Sequence, residues 1–114
     1  LSALIFHMCR REEWDAVHAS AVYAGSSQDV ADGFIHLSTA EQIVESATKH
    51  RAGQSDLVLI AVDPDELGAR LKWEPSRRGQ LFPHVYGGLP VTAVRWVRDL
   101  PLGADGRHSF PPLD

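Results

Sequence analysis

The run Leu57, Val58, Leu59, Ile60, Ala61, Val62 constrains this chain most, because six consecutive apolar residues leave no polar face to turn toward water. A segment this short and uniform reads as a strand buried on both faces, the spine against which the remaining elements are laid. Other extended segments alternate. In residues 4–8 Ile5 and His7 share one face while Leu4, Phe6 and Met8 share the other, and residues 93–99 form a last strand. Residues 71–74 alternate so that Trp73 is expected to face the core with Leu71, and residues 81–86 are expected to be extended.

Two segments carry helical spacing instead. Trp14, Val17, His18 and Ala21 repeat over residues 10–21, with Glu12 and Glu13 in the favourable first turn. Ala40, Ile43, Val44 and Ala47 form the stripe of a second helix that ends near Lys49, His50, Arg51 and Gly53. Between these helices residues 23–31 hold Gly25, Ser26, Ser27 and Asp29 and read as a polar loop of the kind that borders sites. Helices early and strands late give an α+β domain with small, bent, mixed or antiparallel sheets and helices packed on one side. One domain over the 114 residues is expected, compact over about residues 4–100, with residues 101–114 as a surface tail held by little more than Phe110.

Charge and cysteine usage narrow the class. A formal net charge of -4 argues against a dedicated nucleic-acid binder, which would carry an excess of Lys and Arg. Cys9 is the only cysteine, so an intramolecular disulfide and a cysteine-rich zinc site are excluded and a cytoplasmic setting is expected. Following an apolar run, Cys9 reads as a small core residue rather than a nucleophile. No apolar run approaches the roughly 20 residues of a membrane span, and the first residues lack an export pattern.

Chemistry concentrates in two places. In Asp32 to Glu41 a histidine ends a short strand just before a helix start. A buried Ile35/Leu37 face turns His36 and Phe34 the opposite way, and Ser38 with Glu41 fits a capping box. In Trp73-Glu74-Pro75-Ser76-Arg77-Arg78 a carboxylate stands among Lys72 and two arginines, suited either to a sugar hydroxyl beside a phosphate or to a surface ion pair with Arg77. Phe82-Pro83-His84-Val85-Tyr86-Gly87 adds a second polar ring and an aromatic for stacking, or a structural corner. His7, His36 and His84 lie on or beside extended segments, whereas His18, His50 and His108 read as surface residues. The spacing of the first three matches no compact metal motif, and no metal is expected, although a hydrolase built on a histidine cluster stays open as an alternative.

Taken together, GFIHLST, LVLIAVDP, WEPSR and LFPHVYG resemble the bacterial family called domain of unknown function 952, over residues 4–99. The resemblance implies a fold similar to the ADP-ribosyltransferases, a split and bent pair of small sheets that clasps NAD. It further implies a catalytic His36 and Glu74, with His7, Ser38, Thr39, Arg77, His84 and Tyr86 around the ligand. NAD would then be a substrate rather than a resident cofactor, and the partner a small nucleotide-like molecule. Glu74 would stabilise an oxocarbenium-like ribose, Tyr86 or Phe34 would stack on nicotinamide, and Arg77 would meet the pyrophosphate. Lys72 stands where arginine-modifying enzymes of that fold carry an acidic or amide residue, so protein arginine is disfavoured as the acceptor. A non-catalytic nucleotide or anion-binding module remains the alternative, since a shared fold does not establish a shared function.

Overall fold

The computed structural model describes residues 3–17 and 22–114, with only the backbone of Arg77, and its frame is built around the apolar run. Leu57–Val62 (β5) is buried at every residue, flanked on one side by Ile5–Arg10 (β1) and on the other by Val94–Leu100 (β9). Ser38–Thr39 (β4) pairs antiparallel with the outer side of β1 through Phe6↔Ser38 and Ile5↔Thr39, which completes a four-stranded sheet. Alternation then divides the core in two. Ile5, Cys9, Val58, Ile60 and Val62 pack on one face with Tyr23, Ile35, Leu67, Val85 and Leu89, and Phe6, Leu57, Leu59 and Ala61 pack on the other with Ile43 and Leu100. Each of these large side chains contributes about 1.5–3 kcal/mol through burial, so the spine is the main source of stability.

A second sheet is the one that positions the polar residues. Ile35–His36 (β3), Leu81–Val85 (β7) and Leu71–Pro75 (β6) lie in the order β3-β7-β6, and a two-stranded ribbon joins Val22–Tyr23 (β2) to Leu89–Pro90 (β8). Every pairing is antiparallel among the described residues, which settles the mixed-or-antiparallel alternative. The helices are Arg11–Asp15 (α1), Ser27–Asp32 (α2) and Ile43–His50 (α3). They do not share one side of the four-stranded sheet. Trp14 of α1 packs on the Ile5 cluster and Ile43 of α3 on the Phe6 cluster, because each face of a fully apolar strand needs its own cover. None of the described helices is long and apolar enough to cross a membrane.

Four local expectations are corrected. The first helix runs for five residues rather than over residues 10–21, whose last four, His18 among them, lie outside the described residues. Ser38 does not cap a helix: its backbone is taken up by β1, and α3 starts later, after Gln42, whose Oε1 accepts from Thr39 N–H at 3.1 Å. Trp73 is 45% exposed, since β6 is the outer strand of its sheet and Trp73 faces Pro83 across the pair while Leu71 faces the buried Val85. Residues 101–114 are held by more than Phe110. Leu113 joins the same cluster, Arg98 donates to Pro112 O at 3.0 Å, and His108 Nε2 donates to Gln54 O at 2.7 Å.

Candidate functional site

A cleft of about 830 Å³ opens between the two larger sheets, walled by β1, the β3–β4 segment, β7, α2 and the end of α3. That size suits a small-molecule ligand. One end is organised by Asp29, which lies in helix α2 and not in the loop expected over residues 23–31. Ser26 caps α2, and Asp29 Oδ2 accepts from Ser26 N–H at 2.8 Å and from its hydroxyl at 2.9 Å, closing the capping box that Ser38 and Glu41 do not form. The turn into it requires glycine. Gly25 has φ +105, and a Cβ there would lie 2.7 Å from the Asp29 Cβ. The spacing Ser26-x-x-Asp29 is the signal that could have placed both helix and carboxylate.

Asp29 then gathers the two nearer histidines. Its Oδ1 accepts from His36 N–H at 3.1 Å and from His36 Nδ1 at 2.6 Å. Burial pushes the Asp29 carboxyl up, but the His36 ring, the neighbouring His7 and the Ser26 and His36 amides outweigh that and hold it at about 2. His36 Nε2 lies 3.1 Å from Asp32 Oδ2, at ion-pair distance, so the ring stands between two carboxylates with Nδ1 as its hydrogen-bonded nitrogen. His7 is buried and differently bound. Its Nδ1 donates to His36 O at 2.7 Å, which fixes the proton on that nitrogen, and its Nε2 accepts from the Tyr23 hydroxyl at 2.8 Å. Burial lowers the His7 pKa and keeps the ring neutral. Tyr23 in turn bonds the Cys9 side chain, and burial raises both groups, the thiol to about 11, so Cys9 is a core residue and no nucleophile.

The other end is built by cross-strand pairing. His36 and His84 are direct partners on β3 and β7, their rings 5.6 Å apart, and Glu74 reaches His84 diagonally from β6. Glu74 Oε1 accepts from His84 Nδ1 at 2.8 Å and from the Tyr86 hydroxyl at 2.8 Å. These two bonds lower the Glu74 pKa, and the bond to Glu74 raises that of Tyr86. Phe34 lies against all three rings, with centroids 4.6 Å from His36, 4.3 Å from His84 and 5.4 Å from Tyr86.

Most of the expected residues therefore meet, though not in the expected order of contact. His7, His36, Ser38 and His84 wall the cleft, whereas Glu74 and Tyr86 stand one ring away and touch it through His84. Ser38 Oγ is bonded to Ser46 Oγ at 2.8 Å. Thr39 borders a separate, smaller groove beside Trp73, and the Arg77 side chain lies outside the described residues. Arg78 pairs with Glu45 at 2.9 Å, away from Glu74. Two cations that sequence reasoning passed over also wall the cleft: Arg10, and Arg51, which donates to Met8 O at 3.1 Å. Among the described residues no group of three His, Cys, Asp or Glu side chains is arranged to hold a metal ion, and the Nδ1 atoms of all three histidines are already bonded within the protein.

Fold and site together define a small α+β protein whose polar cleft lies between two antiparallel sheets. Residues 8–97 match the family model described as protein of unknown function (DUF952), and the chain belongs to that family. Its structure is similar to the crystal structure of protein CC0527 from Caulobacter crescentus, at 50% identity and a TM-score of 0.88 over 94% of each chain. The solution structure of CC0527 is similar at 51% identity and a TM-score of 0.79, covering 91% of this chain and 90% of that one. No curated protein matches.

Proposed function

We propose that this protein is a small enzyme of ADP-ribosyltransferase-like type that binds NAD, or a related phosphorylated ribose, in the cleft between its sheets. The observation that carries this reading is the convergence of His36, His84, Glu74 and Tyr86 around the Phe34 ring on one face of the three-stranded sheet. Cleaving a bond between ribose and nicotinamide develops positive charge on the sugar, and a carboxylate fixed beforehand by two donors is suited to stabilise it. Glu74, which reaches the cleft through His84, is such a group. Arg10 and Arg51, on the β1 and α3 walls, supply positive charge for phosphate.

Titration calorimetry with NAD and ADP-ribose, followed by an assay for released nicotinamide, tests it. Binding with slow release of nicotinamide, the release lost in Glu74→Gln, is the expected result, and no heat or NMR shift with NAD, ADP-ribose or a nucleoside phosphate overturns it. One observation favours a non-catalytic binding module instead: both ring nitrogens of His36 face carboxylates, Nδ1 bonded to Asp29 and Nε2 at ion-pair distance from Asp32. Binding with no turnover, unaffected by Glu74→Gln, would establish that alternative.

A further inference from the structure

We infer that His84, not Glu74 or His36, is the proton acceptor of this cleft, and that Glu74 acts through it as a positioning residue. The inference rests on the nucleotide reading for the identity of the reaction, but its geometry stands apart from that reading. The side chain of His84 is 8% exposed, and its Nδ1 is bonded to a carboxylate whose pKa lies below the ordinary value. An ionised carboxylate only accepts, so the proton of the neutral ring sits on Nδ1 and Nε2 is left with its lone pair. Among the described residues Nε2 has no hydrogen-bond partner, and the residue walls the cleft.

No other histidine of the cluster is placed this way. The lone pair of His7 is taken by the Tyr23 hydroxyl, and both nitrogens of His36 face carboxylates. Packing also fixes the His84 ring. Phe34 lies against it at 4.3 Å, and the Tyr86 hydroxyl holds the same Glu74 oxygen from the other side, so carboxylate and imidazole are both pinned. A base oriented by a carboxylate with its free nitrogen open to a ligand is the arrangement that activates a hydroxyl or a water. In the proposed reaction the attacking oxygen forms its bond to the anomeric carbon while the bond from that carbon to the nicotinamide nitrogen breaks. The electron pair leaves with nicotinamide, and the proton of the attacking oxygen passes to His84 Nε2. The imidazolium so formed keeps its Nδ1–H on Glu74.

The test needs no known substrate. Long-range nitrogen–proton NMR of the intact protein near neutral pH reads the tautomer of His84. Peptide mapping after brief treatment with diethyl pyrocarbonate, which acylates an unprotonated and unbonded imidazole nitrogen, reads its availability. The Nδ1–H tautomer is expected, with His84 acylated ahead of His7 and His36, and acylated about tenfold more slowly in Glu74→Gln because the charged partner that selects the tautomer is gone. A ring protonated on Nε2, or a His84 that stays unmodified while His36 reacts, overturns the assignment whether or not ADP-ribose binds. Fast acylation of His84 that saturating ADP-ribose fails to slow supports the assignment of the base and counts against the nucleotide reading alone.

Discussion

The two histidine–carboxylate pairs at the cleft join the same two chemical groups, an imidazole and a carboxylate, and do opposite things. At the α2 end Asp29 is 3% exposed and accepts four hydrogen bonds, from Ser26 N–H and Oγ and from His36 N–H and Nδ1, so removing it strands donors in the interior. At the β6 end Glu74 is 36% exposed and uses one oxygen for two donors. Burial decides the difference. A sealed carboxylate that satisfies backbone amides holds the fold, while a half-open one beside an unbonded imidazole nitrogen has capacity to spare for a ligand.

Breaking the sealed pair gives the largest expected effect. Asp29→Asn keeps the shape but removes the charge and points an amide donor at other donors. It should cost about 3 kcal/mol or more in urea denaturation, the range for breaking a buried hydrogen-bonded pair. Glu74→Gln should leave the denaturation midpoint near that of the parent protein. If the two substitutions proved equally costly, the contrast between the ends would collapse.

Acid titration sharpens the same contrast. The folded pKa of Asp29 is depressed to about 2 from its ordinary 3.8, so its contribution is full above about pH 4 and is lost as pH falls toward 2. The shift corresponds to about 2 kcal/mol. The folded pKa of His7 is likewise below its ordinary 6.5, and because the unfolded chain then takes up a proton first, stability begins to fall once pH drops below 6.5. Denaturation midpoints from about pH 7.5 to about pH 3 should therefore decline in two stages, and in Asp29→Asn the lower stage should disappear. A flat profile over that range would show that neither group is buried as described.

Tyr23→Phe should cost less than Asp29→Asn, about 1–2 kcal/mol, by leaving the His7 lone pair without its donor in a buried site. The NMR signal of His7 should move while that of His84 does not. Movement of both would mean that the two ends communicate more closely than their separate networks indicate.

How much was legible in advance follows the range of the interactions involved. The β5 spine, the two faces of β1 and the outward turn of His36 against buried Ile35 and Leu37 were all readable, because each is a period-2 consequence of neighbours in the chain. Ser38 has the local propensity of a cap, but that propensity loses to pairing with β1, a partner about thirty residues away. Asp29 follows Gly25, Ser26 and Ser27, whose composition resembles a loop, and its importance comes from His36, seven residues on. Alternation alone puts Trp73 in the core, because it does not distinguish a strand inside a sheet from one at its edge.

By itself the sequence determined which residues are apolar spine, which strand faces oppose one another and which polar residues end strands, since these follow from side-chain chemistry and the geometry of an extended chain. Only the tertiary structure decided that His36 and His84 are cross-strand partners, that Glu74 meets Nδ1 of His84, and that Asp29 closes the other end. Those are contacts between distant segments. Register and burial set them, and neither is encoded in any one stretch of residues.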